Sequence, residues 1–107
     1  MKIEHFAINV SDPKALAAWY TENLGLRIIR ILDTPNTEHF LADDDGETVL
    51  EVYNNLAGDH INFAELHPLG FHIAFSVADM DATRAALIQA GATPFGDVVT
   101  TPAGDKL

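Results

Sequence analysis

Residues 2–10 alternate, with Phe6, Ile8 and Val10 on one face and Ile3, His5, Ala7 and Asn9 on the other, which is the period of a half-buried strand. The period then lengthens. Leu16, Trp19, Tyr20 and Leu24 recur at helical spacing behind Asp12, a natural N-cap, and Pro13, which suits the first helical position because its missing N–H is not needed there. Gly25 offers a left-handed stop. The pattern predicts a helix resting on the Phe6, Ile8 and Val10 side of the strand, so the His5 side is left without cover from its own helix. Residues 26–32 read as a second strand, ended at residues 33–36 where Pro35 opposes continuation. Residues 38–42 and 47–53 form a predicted hairpin about Asp43-Asp44-Asp45-Gly46, with Gly46 supplying positive φ. In its second arm Leu50 and Val52 share one face, while Val49, Glu51 and Tyr53 share the other. Glu51 is the odd member, because a carboxylate in such a run is costly if buried without a partner.

The opening pattern returns. With His72 set beneath His5, Ala74 falls under Ala7, Val77 under Val10, Asp79 under Asp12, and Ala82 and Ala85 under Ala15 and Ala18. Gly91 matches Gly25 after a one-residue deletion. This internal repeat predicts a strand over residues 71–77, with Phe71, Ile73, Phe75 and Val77 on the helix side and His72 opposite. A helix over residues 80–90 follows, capped by Asp79 and closed by Gly91; residues 92–100 read as a further strand, and residues 102–105 as a turn into one more. The chain thus divides into a first β-α-β-β-β module at about residues 1–54, a linker at about 55–69 and a second module at about 70–107. The second module is read as short of its C-terminal strands, since the counterpart of Glu51 would fall beyond Leu107. The expected class is α+β, with paired modules in a single domain.

Composition narrows the chemistry. The formal charge is −10, and the six basic residues, scattered from Lys2 to Lys106, form no cluster, which argues against nucleic acid and anionic membranes as partners. No apolar run is long enough for a spanning helix and no basic, then apolar, leader opens the chain, so a cytoplasmic protein is expected. With no cysteine there is neither a disulfide nor a thiolate site, and any metal must use His, Asp, Glu or water.

His5 and His72 recur at equivalent places on two equivalent predicted strands, and Glu51 lies on a strand face that no helix claims. Two imidazoles and a carboxylate suit a divalent transition metal with open positions for water or substrate, and such sites accept Zn, Ni, Mn or Fe. His39 is read as facing solvent rather than a cleft, and His60 and His67 as ordinary loop histidines of the linker. Trp19 and Tyr20 are read as helix packing. The Asp43-Asp44-Asp45 run is read as a solvated turn, because the glutamate that would end a calcium loop is missing.

His5 at the first strand, Asp12-Pro13 at the helix entry, residues 19–26 (WYTENLGL), Leu50-Glu51-Val52 and Phe71-His72-Ile73-Ala74-Phe75 together resemble the vicinal oxygen chelate superfamily. That superfamily includes glyoxalase I, bleomycin- and fosfomycin-resistance proteins and extradiol dioxygenases. The resemblance covers essentially the whole chain and implies paired β-α-β-β-β modules curled about a metal site, usually in a dimer. By position, His5, Glu51 and His72 match three of the four metal-ligand positions of its metal-dependent members; the fourth, a carboxylate on the last strand, has no counterpart here. The expectation is a metal-dependent enzyme of the glyoxalase type, a lyase or isomerase that chelates vicinal oxygens of a small molecule, with Glu51 moving a proton. An extradiol dioxygenase-like protein fits less well, since its carboxylate ligand comes from the final strand. Glutathione is not indicated, as only Arg27, Arg30 and Arg84 could meet its carboxylates. The alternative from another class is a metal-free binding module that sequesters a drug-like compound in a dimer crevice. A homodimer is expected on either reading.

Overall fold

The first strand, β1 (Phe6–Asn9), is shorter than its alternating run, because it extends only as far as a partner strand accompanies it. The helix that follows, α1 (Pro13–Leu24), starts and stops where its residues dictate. The Asp12 carboxylate accepts from the Ala15 N–H at 2.9 Å, Pro13 occupies the first turn, and Gly25 takes φ +70° while its N–H bonds the Tyr20 carbonyl. Then come β2 (Arg27–Ile31), β3 (His39–Ala42) and β4 (Val49–Tyr53). This is the β-α-β-β-β order expected of the first module. The computed structural model describes residues 1–46 and 49–107, so Glu47 and Thr48, the start of the predicted second hairpin arm, lie outside the described residues.

The four strands form one mixed sheet in the order β1-β4-β3-β2. β4 runs parallel to β1 and antiparallel to β3, and β2 is antiparallel to β3. The turn between β3 and β4 is built as its sequence suggests, with Gly46 at φ +72° and its N–H donated to the Asp43 carbonyl and carboxylate at 3.1 and 3.0 Å. One face of the sheet carries α1. Ile8, Val10, Ala17, Leu26, Leu41, Leu50 and Val52 are buried there, with Leu16, Tyr20 and Leu24 packed against them. Burying a side chain such as Leu41 or Val52 contributes about 1.5–3 kcal/mol. Phe6, expected under the helix, is 52% exposed, because it opens an edge strand ahead of the helix's reach.

The chain divides into two compact units, Met1–Phe71 and His72–Leu107. The second contains α2 (Met80–Gln89), capped by Asp79, whose carboxylate accepts from the Ala82 N–H at 2.9 Å. Gly91 follows at φ +100°. The strand expected over residues 71–77 does not form: the segment joins no ladder among the described residues, and Phe71, Ile73, Phe75 and Val77 are 37–40% exposed. Alternation equips a segment to have two faces, but a strand exists only where another strand takes its N–H and C=O groups. Residues 92–100 likewise form no strand. They end in a single antiparallel bridge, Thr100 to Lys106, closed by reciprocal Val99–Leu107 bonds at 3.0 and 2.9 Å around the predicted turn at residues 102–105.

Candidate functional site

The face of the sheet opposite α1 is where the chemistry gathers. Residues directly opposed on neighbouring strands share a face, and the register opposes Ala7 with Glu51, Glu51 with Phe40, and Phe40 with Arg30. His5, one residue before β1, keeps the alternation with Ala7 and leans over the same row. Its Nε2 stands 3.2 Å from Glu51 Oε2, and its ring meets the Phe40 ring edge-on at 6.1 Å between centroids. Glu51 sits between Leu50 and Val52, which turn to the core, so its half-buried carboxylate is directed to the open face by strand alternation alone. The partner that a carboxylate in this run needs is His5.

The other ring nitrogen of His5, Nδ1, contacts the Glu4 carboxylate. That hydrogen bond raises the His5 pKa above its usual value; partial burial opposes it, and the negative charges of Glu4 and Glu51 add to the rise. A carboxylate behind Nδ1 also fixes which nitrogen faces the site, as second partners of ligating histidines do.

Two side chains bonded to one ion at about 2.0–2.2 Å stand about 3 Å from each other. The His5 and Glu51 donor atoms are at that separation, and imidazole with carboxylate is a donor set that divalent transition metals accept. The residues present therefore fit two positions of a metal sphere. Among the described residues no group of three ligating side chains is ready-made to hold a metal. His72 is the first residue of the second unit, and its expected strand position is not realised.

The remaining histidines have structural partners. His39, expected at the solvent, is buried instead, 7% exposed, because β3 lies inside the sheet and opposes His39 to the core residue Val52. Its Nδ1 donates to the Thr37 carbonyl at 2.7 Å. His60 Nε2 is 3.1 Å from Asn54 Oδ1, and His67 Nδ1 accepts the Leu69 N–H at 3.2 Å.

Sequence reasoning passed over Asn9 and Phe40. Asn9 is buried; its amide donates to the carbonyls of Asn55, Gly58 and Asp59 at 2.9–3.3 Å, and its side-chain oxygen accepts the Asn55 N–H at 2.8 Å. It ties the end of β1 to the loop after β4. A polar residue on an alternating strand next to the turn-rich Asn54-Asn55 is the signal that could have found it. Phe40 was only half legible: a hairpin closed at Asp43–Gly46 sets it against Val49, which shares the Glu51 face, and the observed register, Ala42 with Val49, moves it two residues along to Glu51.

No helix among the described residues is long and apolar enough to cross a membrane. No curated protein and no solved structure matches the chain. One family model does match, over residues 2–106, nearly the whole chain and the whole of the β-α-β-β-β unit: the chain belongs to the Glyoxalase/Bleomycin resistance protein/Dioxygenase superfamily.

Proposed function

We propose that the chain is a metal-dependent enzyme of the glyoxalase type, a lyase or isomerase acting on a small molecule that presents two adjacent oxygens. The observation that carries this reading is the 3.2 Å approach of His5 Nε2 to Glu51 Oε2 on the uncovered face of the sheet. Members of the superfamily often use divalent metals, bind small molecules and form dimers. His5 and Glu51 would hold the ion, with His72 completing the protein ligands; Zn, Ni, Mn and Fe all suit such donors. Bound there, the ion would supply Lewis acidity toward vicinal oxygens. The chain's own residues do the rest. Glu51, half-buried and beside an imidazole, would accept a proton at the carboxylate oxygen that the ion does not take and return it, while Glu4 holds the His5 ring in orientation. Apolar Phe40 stands against the His5 ring, edge-on, on the same face.

The reading includes a homodimer. β2 is an edge strand whose Ile28, Ile29 and Ile31 are 41–57% exposed, and soluble proteins pair or cover such edges.

Elemental analysis of the purified protein, with its sedimentation at micromolar concentration, tests the proposal. The expected result is a stoichiometric divalent metal in a dimer. His5→Ala, Glu51→Gln and His72→Ala should each weaken metal binding by at least about tenfold, and His60→Ala should not. Metal-free protein that also fails to take up added Zn, Ni, Mn or Fe overturns the reading in favour of a sequestering module. Unchanged binding in His72→Ala removes His72 from the ligand set.

A further inference from the structure

The row of side chains on the open face does not end at Phe40. β2 carries an irregularity: Ile28 opposes Leu41, but the next pairing is Arg30 with Phe40, so Ile29 is an extra residue in the ladder. A one-residue slip moves every following side chain to the other face. Without Ile29's insertion, Arg30 would stand opposite His39, on the buried side. The bulge instead delivers Arg30 to the face that holds Phe40, Glu51 and His5. There its guanidinium carbon lies 5.5 Å from the Phe40 ring centroid.

The three arginines differ in what occupies their N–H groups. Arg27 donates to the carbonyls of Asp43 and Asp44, and Arg84 donates to that of Gly96. Arg30 is exposed and, among the described residues, has neither a carboxylate within ion-pair distance nor a hydrogen-bond acceptor; its contact is the ring. A guanidinium held within cation–π range of a ring keeps its N–H fork for a planar, two-oxygen acceptor.

We propose that Arg30 is a specificity-determining residue that binds a carboxylate of the ligand. The ligand's other end meets the His5–Glu51 pair, and a flat apolar middle lies along Phe40. Arg30 and Glu51 stand on strands separated by one strand, so their backbones are about 10 Å apart, a gap that two side chains and one ring-sized group fill. The ligand class is thus a small monoanionic acid with an unsaturated or aromatic body. A single guanidinium balances one negative charge, and a dianionic phosphate would meet surplus repulsion from the acidic chain. The identity of the far end rests on the functional reading above, whereas the carboxylate at Arg30 stands on the bulge and on the ring contact.

The test uses the full chain and four probes: benzoate, its neutral isostere benzamide, phenyl phosphate and acetate. The titrations are run with and without excess EDTA, so that an anion bound to a metal is told apart from one bound at Arg30. Backbone amide shifts followed by NMR should show saturable benzoate binding centred on Arg30, Phe40 and Glu51. Arg30→Gln should weaken it at least about tenfold, the loss expected when a charge-assisted pair is removed. Arg30→Lys should recover part of it, because the charge returns without the fork. Acetate should bind more weakly than benzoate. The proposal is overturned if benzoate does not bind, if benzamide binds as well as benzoate, if phenyl phosphate binds more tightly, or if Arg30→Gln leaves benzoate binding unchanged. Arg30 is exposed and outside the core, so these variants keep the fold that the NMR spectrum itself reports.

Discussion

Ile8 in the first copy of the repeat is 3% exposed, and Phe75, which stands beneath it in the second, is 40% exposed. Their surroundings in sequence are alike, with a histidine opening each segment and an aspartate capping the helix that follows. The helix signals act the same way in both: Asp12 and Asp79 each accept an N–H three residues on, at 2.9 Å. A cap is a bargain within one turn of chain and is kept wherever the residues occur. A strand is an agreement with a distant segment. β1 has β4, forty residues away in the chain, whereas residues 71–77 join no strand ladder among the described residues. The comparison teaches that a repeat copies faithfully what is decided locally, and that a strand forms only where another segment takes its N–H and C=O groups.

The sharpest way to break this comparison is to remove the paired side chains. Ile8→Ala empties a site in the core beside Val52 and Leu50, and a cost of about 2–5 kcal/mol is expected. Phe75→Ala should cost about 1 kcal/mol or less, because its side chain already gives up much of its area to water. Urea unfolding of the two variants measures both. Equal losses would mean that the second copy is packed as tightly as the first in solution, and the contrast drawn here would fall.

A smaller effect separates Asn9 from Ser76, the next pair in register. Asn9→Ala strands the Asn55 N–H and frees three carbonyls at the start of the linker, a loss of about 1–3 kcal/mol for buried polar groups left without partners. Ser76→Ala, at an exposed position, should fall within about 0.5 kcal/mol of the parent. Amide exchange should also quicken at residues 55–61 in the Asn9 variant alone. Protection there that matches the parent would show that the loop is held by other bonds.

What could be read in advance follows the same division. The whole of α1 was legible, from Asp12 to Gly25, and so was the hairpin about Asp43–Gly46, because each is decided by residues close in sequence. The side to which Glu51 points was legible too, since alternation fixes it once Leu50 and Val52 are taken into the core. The burial of His39 was not, because it depends on β3 lying inside the sheet with β4 and β2 on either side, which no local pattern states. Nor was the arrival of Arg30 on the open face. Counting by twos places Arg30 with Ile28, and only the extra residue in the ladder separates them. The irregularity is invisible in RIIRI, where neither glycine nor proline marks it.

The last and smallest expected effect compares Tyr20 with Leu87, which occupies the matching place on α2. Tyr20 packs against the core, and burial raises its phenol pKa above the ordinary 10.0, since the phenolate is the form that water would stabilise. The sign of the consequence follows from where the proton is held. Above the unfolded pKa the unfolded chain releases this proton while the folded chain keeps it, so release favours unfolding. The contribution is therefore fully present below about pH 10 and is lost as pH rises through the higher folded value. Tyr20→Phe keeps the ring in its seat and removes the proton. The variant should match the parent in urea unfolding near pH 8 and lose less stability between pH 9 and 11, on the order of the fraction of a pKa shift that one phenol supplies. Leu87→Ala has no such group to titrate, and its alkaline slope should equal the parent's. Parallel slopes for the parent and Tyr20→Phe would mean that the phenol is open to water in solution and that α1 sits less firmly on its sheet than the burial of its own Ala17 implies.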